Sequence, residues 1–177
     1  MRNLENWNKR FLHRQLKTFS PRLQRDLVKY PAKDLPEYGS YYLWGTASTG
    51  KTTTAAHMYL AAAKKFYLET LPGQCIFTTV SDFLDDLQKC VNDPERDIHA
   101  VRARYIATEF LVLDDLGAEK MSEWELSQLQ RLINGRYESL STIVVTSNVS
   151  LNRLANVLGD DRIPARLKIM CKTIAVK

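Results

Sequence analysis

The sequence predicts an α/β fold: five parallel strands in one sheet, with a layer of helices on each face. Three observations carry this. Five short apolar runs lack the polar alternation of a half-solvated strand, so their sheet is buried on both sides. Helical stretches separate them, which gives each neighbouring pair the crossover that parallel strands need. One strand-to-helix junction is a glycine-bearing segment with a lysine and a threonine at its end.

The elements follow in chain order. Leu4, Trp7 and Phe11 recur at helical spacing. Ser20-Pro21 reads as an N-cap with proline at the first helical position, followed by Leu23 and Leu27, so two short helices precede the body. The stretch PAKDLPEYGS is a loop punctuated by proline and glycine, and Tyr41-Tyr42-Leu43-Trp44 is the first strand. A helix is expected over 52–68. The apolar run 75–80 is the second strand, and Ser81 is expected to cap a helix carrying Phe83, Leu84 and Leu87. A further helix is expected over 94–108 and the third strand over 110–113. Ser122 with Glu125 forms a capping box for a helix carrying Leu126, Leu129 and Ile133. The fourth strand covers 142–146, Ser150 caps a short helix, another helix covers 163–170, and 173–176 is the fifth strand.

At 177 residues the chain is long enough for one domain with a sizeable core, and 45% hydrophobic with 25% charged residues is the composition of an ordinary globular chain. No apolar run approaches the roughly 20 residues that span a bilayer. The polar start MRNLENWNKR lacks the apolar stretch of a secretory signal, so a cytoplasmic location with no membrane association is expected. Cys75, Cys90 and Cys171 are odd in number and widely spaced, which fits reduced thiols better than a disulfide framework or a zinc site. The net charge of +5 is concentrated at one end: nine Lys and Arg against four Asp and Glu precede Tyr41, leaving sixteen of each sign beyond it. Residues 1–18 therefore read as a basic amphipathic arm, with Arg2, Lys9, Arg10, Arg14 and Lys17 beside the apolar stripe, and 19–177 as the core. The arm meets either nucleic acid or a partner protein, or is simply a solvated helix face.

Gly45-Thr46-Ala47-Ser48-Thr49-Gly50-Lys51-Thr52 matches G-x-x-x-x-G-K-[ST] at every fixed position. Glycines let the backbone curl so that successive N–H groups face phosphate oxygens at the positive end of a helix. Lys51 then reaches the β- and γ-phosphates of a nucleotide and Thr52 a Mg²⁺ ion. An acidic pair, Asp114-Asp115, ends the third strand, where open α/β sheets bind ligands. Asp114 fits the Mg²⁺ shell, and Asp115 fits the water that attacks the terminal phosphate. The fourth strand runs into Asn148, a side chain able to position that water. Arg162 and Arg166 stand one helical turn apart in DRIPARL. They serve either a neighbouring subunit's phosphates or local pairs with Asp160 and Asp161.

In this order, GTASTGKT, LVLDDLGAE, TIVVTSN and GDDRIPARL resemble the AAA+ core of bacterial and phage replicative helicase loaders of the DnaC and DnaI type, with the IstB-type transposition helper ATPases close to them. The resemblance covers residues 19–176 and is most specific at LDDLGAE and RIPARL. It implies a P-loop NTPase core that binds ATP and Mg²⁺ through Gly45 to Thr52 and Asp114. It also implies Asp114 and Asp115 as the second motif, with Asp115 the catalytic residue that orients or deprotonates the water, Asn148 as sensor and Arg166 as arginine finger, with Arg162 the second candidate. The partners it implies are a replicative helicase, single-stranded DNA and further copies of the chain, the last through the Arg166 surface. Two departures are visible: only about 18 residues precede the resemblance where loaders carry a longer N-terminal domain, and no C-terminal lid is expected after the fifth strand. Beside helicase loading, the residues leave open a transposition helper ATPase and an ATP-binding adaptor without turnover. A small-molecule kinase would need an acceptor pocket and an arginine-rich lid, and no segment supplies either.

Overall fold

The computed structural model describes residues 15–30, 35–68, 74–91, 93 and 95–177. Seven helices and five strands are present among them, in the order α1 (Pro21–Lys29), β1 (Tyr41–Trp44), α2 (Lys51–Leu68), β2 (Cys75–Thr79), α3 (Val80–Val91), α4 (Ile98–Ala107), β3 (Phe110–Leu116), α5 (Glu123–Glu138), β4 (Thr142–Ser147), α6 (Leu151–Leu158), α7 (Arg162–Met170) and β5 (Lys172–Ala175). The strands form one all-parallel sheet in the order β2-β3-β4-β1-β5. The expected three-layer architecture is therefore present. The stripe Leu4, Trp7 and Phe11 lies outside the described residues, as do Arg2, Lys9, Arg10 and Arg14.

The two-residue period of a strand divides the core in two. Tyr41, Leu43, Phe110, Val112 and Val144 face α1 and α2, where they meet Phe19, Leu23, Leu27, Tyr59 and Phe66. Tyr42, Leu111, Leu113, Ile143 and Val145 face the other helical layer, against Phe83, Leu87, Leu129, Ile133 and Leu167. β1, β4 and the first four residues of β3 are largely apolar because both faces of the sheet are covered there, whereas the edge strand β5 is mostly exposed. α1 begins as its residues dictate: Ser20 accepts the Leu23 N–H at 3.2 Å and Pro21 occupies the first turn.

Ser150 stands at the N-cap of α6 without a side-chain cap hydrogen bond, and three element bounds move by more than one residue. The helix after β2 begins at Val80, and its cap is Thr79, whose hydroxyl accepts the Asp82 N–H at 3.0 Å; Ser81 is already inside the first turn. α4 starts later than position 94, at Ile98, because Asp97 accepts the His99 N–H at 2.7 Å. β3 runs on through both acids to Leu116 instead of stopping at Leu113. The Ser122–Glu125 capping box is present in both directions.

At the N-terminal ends of β3 and β4, α5 buries Arg136 completely. Its guanidinium donates to the carbonyls of Tyr105 at 2.7 Å, Thr108 at 2.9 Å and Ile106 at 3.1 Å, and to Thr142 at the start of β4. Loss of hydration pushes its pKa down to about 10, which leaves it charged at neutral pH. One cation thus satisfies the C-terminal carbonyls of α4 and ties that helix to the sheet. Cys75, Cys90 and Cys171 are free thiols, and burial pushes those of Cys75 and Cys171 up to about 12. Among the described residues no helix is long and apolar enough to cross a membrane.

Candidate nucleotide-binding site

β1 and β3, which flank β4 in the sheet, deliver their C-terminal ends to one cleft. Beyond Trp44 the chain turns at once. Gly45 donates its N–H to the Ser147 carbonyl at 3.3 Å, and Gly50 takes φ +89°, a left-handed conformation that glycine adopts without steric cost. Thr54 is the first residue of α2 whose N–H finds an intrahelical partner, the Gly50 carbonyl at 2.8 Å. The N–H groups of residues 51–53 are therefore the unsatisfied donors of a helix start, pointing out of its positive end. Lys51 is 6% exposed, and its ammonium donates to the Thr46 carbonyl at 2.7 Å, which holds the charge over the loop.

Gly45 is required for another reason. A Cβ there would stand 2.2 Å from the Val176 carbonyl oxygen, because Val176, just past β5, donates its N–H to Trp44 at 2.7 Å and lies directly against the loop. The fifth strand thus forms one wall of the loop.

Asp114 is 4% exposed and is reached by two hydroxyls. Thr52 Oγ1 donates to its Oδ1 at 3.0 Å, and Thr146 Oγ1 donates to the same oxygen at 2.5 Å. Burial raises the Asp114 pKa, and the charge of Asp115 adds to it. The Thr146 and Thr52 hydrogen bonds and the Lys51 charge pull the other way. Asp115 is exposed, lines the cleft and has φ +62°, uncommon for a residue with a side chain. Asn148 is exposed on the same cleft, one residue beyond the end of β4.

The cleft has a volume of about 1080 Å³, room for a nucleoside triphosphate. Ala47 to Thr52, Asp114, Asp115 and Asn148 line its floor. Its opposite wall comes from α1 and its approach: Phe19, Arg22, Leu23, Asp26 and Tyr30, with His57 and Phe77 nearby. His57 Nε2 lies 2.7 Å from the Tyr30 carbonyl and ties that wall to α2. Sequence reasoning placed α1 but gave it no part in the site, since nothing local indicates which face of the sheet a leading helix covers. It also missed Thr146 and Val176, whose roles depend on strand pairing.

The residues present suit a nucleotide with Mg²⁺. Helix-start donors and a buried lysine answer phosphate charge, while a hydroxyl and a buried carboxylate already in contact offer the hard oxygens that Mg²⁺ prefers.

The two arginines of α7 are not part of the cleft lining. Arg162 is exposed and pairs with Asp160 at 2.8 Å, the local pairing that the sequence left open, and hydrogen bonding to Arg162 holds the Asp160 carboxyl below its usual pKa. Arg166 Nε donates to Asn134 Oδ1 at 3.3 Å, and its guanidinium lies 4.5 Å from the centre of the Tyr137 ring. Although one helical turn apart, the two have separate partners.

Residues 38–176 match the family described as IstB-like ATP binding protein. An IS21-like insertion-sequence ATP-binding protein of Bacteroides fragilis is 27% identical over 127 residues, covering 71% of this chain and 44% of that protein. The chain spans about two fifths of the length of the curated relatives it matches. Among solved structures, the DnaC helicase loader superposes with TM-score 0.65 at 24% identity, over 96% of this chain and 99% of that one. AMPPCP-bound DnaA from Aquifex aeolicus superposes with TM-score 0.66 at 21% identity, over 92% of this chain and 49% of that one. At these identities the structural likeness establishes the shared AAA+ P-loop fold, and the sequence match establishes the family. The chain belongs to the IstB-like ATP-binding proteins, on the AAA+ core that DnaC and DnaA also use.

Proposed function

We propose that the cleft binds ATP with Mg²⁺ and hydrolyses it, and that the chain uses this cycle to load or remodel a replicative helicase on single-stranded DNA. The observation that carries the hydrolytic reading is the contact of Thr52 with Asp114 at 3.0 Å, with Asp115 on the same cleft. The helix-start N–H groups and Lys51 take the phosphates. Thr52 and Asp114 would hold Mg²⁺, which when bound supplies positive charge against the phosphate oxygens. Asp115 accepts the proton of the attacking water, and Asn148 orients that water. Neither arginine lies on the cleft of its own chain, so Arg166, with Arg162 as second candidate, serves the phosphates of a neighbouring copy. An arginine supplied in trans raises P-loop turnover by about 10³ to 10⁵ in well-known cases, so an isolated copy turns over slowly.

The motif order and the fold shared with a helicase loader along nearly its whole length support the loading role. The basic arm, residues 1–18, is then the contact to helicase or DNA, and the setting is the cytoplasm of a bacterium or of a phage host. A second reading, a transposition helper ATPase, is supported by the family and by the insertion-sequence relative.

ATP turnover measured against protein concentration, with single-stranded DNA and with either a replicative helicase or an IS21-type transposase added, tests these readings. Specific activity should rise with concentration, and helicase with DNA should stimulate it. Mixing inactive Arg166→Ala with inactive Lys51→Ala should restore part of the turnover, because some mixed interfaces pair an intact site with an intact arginine. Stimulation by the transposase alone would favour the second reading. ATP binding with no turnover under any condition would leave an adaptor, and activity independent of concentration with no rescue would remove Arg166 from the site.

A further inference from the structure

The register of β3 against β4 contains an irregularity at the site. Leu113 pairs with Val145 and Leu116 with Ser147, so Asp114 and Asp115 together stand opposite the single residue Thr146. This is a β-bulge, a device that re-aims side chains beside functional sites. In a regular strand two consecutive residues point to opposite faces. Here the bulge, with Asp115 at φ +62°, puts both acids on one cleft.

The extra residue costs the ladder a hydrogen bond, and a side chain replaces it. Asp115 donates its N–H to Thr146 Oγ1 at 2.9 Å, while the hydroxyl's one proton goes to Asp114 Oδ1. Both capacities of this hydroxyl are therefore committed, one to each acid. Thr146 is fully buried, so water has no access to take its place. On the far side of the bulge Ser147 Oγ donates to the Leu116 carbonyl at 2.7 Å, which closes the sheet independently of Thr146.

We propose that Thr146 is a positioning residue for the site: its hydroxyl holds the bulge that presents Asp114 to the metal and Asp115 to the attacking water. The inference rests on the Mg²⁺-ATP reading of the cleft. It assigns the fourth strand a role ahead of Asn148, through a residue that touches neither phosphate nor water.

Thr146→Val keeps the shape and removes both hydrogen-bonding capacities, whereas Thr146→Ser keeps both. A fluorescent ATP analogue titrated with and without Mg²⁺ reads the effect apart from turnover. In T146V, nucleotide binding without Mg²⁺ should stay within about twofold of wild type, because the Thr146 hydroxyl bonds to Asp114 and Asp115 and not to the phosphate loop. The Mg²⁺ concentration for half-maximal enhancement of binding should rise about 10- to 100-fold, the usual cost of losing an outer partner of a metal ligand. Turnover should fall with it, and T146S should restore both. If T146V does not fold, T146A against T146S makes the same comparison, since both lack the methyl group and differ in the hydroxyl alone. A T146V protein with wild-type Mg²⁺ response and turnover overturns the proposal, as does a T146S protein as impaired as T146V. A wild-type protein whose nucleotide binding ignores Mg²⁺ overturns the reading of the site itself, and this inference with it.

Discussion

Replacing Gly45 by alanine introduces one methyl group at the point where β5 passes the phosphate loop. The new Cβ would lie 2.2 Å from the Val176 oxygen, and carbon atoms in real structures essentially never come closer than 3.0 Å to such a neighbour. At least 0.8 Å of separation must therefore open between two backbone segments. Two outcomes compete. If β5 yields, the Val176 N–H loses the Trp44 carbonyl, worth about 0.5–1.5 kcal/mol, or a melting point lower by about 1–6 °C at this chain length. If the loop yields, its donors leave their aligned positions, and a misplacement of about 1 Å can cost on the order of 10² in a process that depends on alignment. β5 is a four-residue edge strand with mostly exposed side chains, whereas the loop is tied to Ser147 and braced within itself by Lys51 on the Thr46 carbonyl. The strand should give way first. The expected G45A protein is folded, melts a few degrees lower and binds ATP on the order of tenfold more weakly through the loss of that wall. Thermal unfolding and a fluorescent-nucleotide titration measure the two quantities. Removing residues 176 and 177 from G45A takes away the clash, so that protein should bind no worse than the same truncation of the wild type. A G45A protein that melts and binds like wild type would mean that Val176 does not press on the loop, and the argument would fail.

Lys51→Ala should abolish measurable ATP binding while leaving the circular dichroism spectrum unchanged, because it removes a phosphate-facing charge and no core side chain; undiminished affinity would sink the phosphate-loop assignment. Asp115→Asn should keep nucleotide binding and lose most turnover, by about 10²-fold or more in a single-turnover assay, since an amide cannot take a proton from water; retained turnover would move the proton acceptor elsewhere, with Glu119 the next candidate. Arg136→Met should destabilise the fold by about 3 kcal/mol or more, a melting point lower by roughly 6–12 °C, because four carbonyls lose their donor inside the protein. A loss below about 1 kcal/mol would mean that those carbonyls find other partners.

What could be read in advance was what the chain writes locally. The loop between β1 and α2 is eight consecutive residues, the central strands contain apolar runs, and the Ser122–Glu125 capping box spans four positions, so spacing alone marks them out. Features that depend on which strands pair were out of reach. Thr146 looks like one more residue of a β-branched strand until β4 is set beside β3 and its hydroxyl meets Asp114, 32 positions away. Arg136 continues the Leu129 and Ile133 stripe by one turn, and that position is the one local sign of its burial; an arginine is otherwise expected in solvent. Thr79 outcompetes Ser81 as a cap because the chain turns into α3 directly from β2, a geometry that residue preference does not encode.

The strand order also governs when the site can exist during synthesis. β1, which carries the phosphate loop, is flanked by β4 and β5, so Tyr41 pairs with Val144 on one side and Lys172 on the other. Both neighbours are made more than a hundred residues later. A nascent chain can wind α2 as soon as it emerges, but the loop beside it lacks the Ser147 carbonyl and the Val176 wall until nearly all of these residues are available. Pairings this distant close late and slowly, because the entropy of a long loop must be overcome before any contact rewards it. On the proposed reading of the cleft, the loop is therefore walled on both sides only after these late pairings form, and ATP would stabilise that paired sheet.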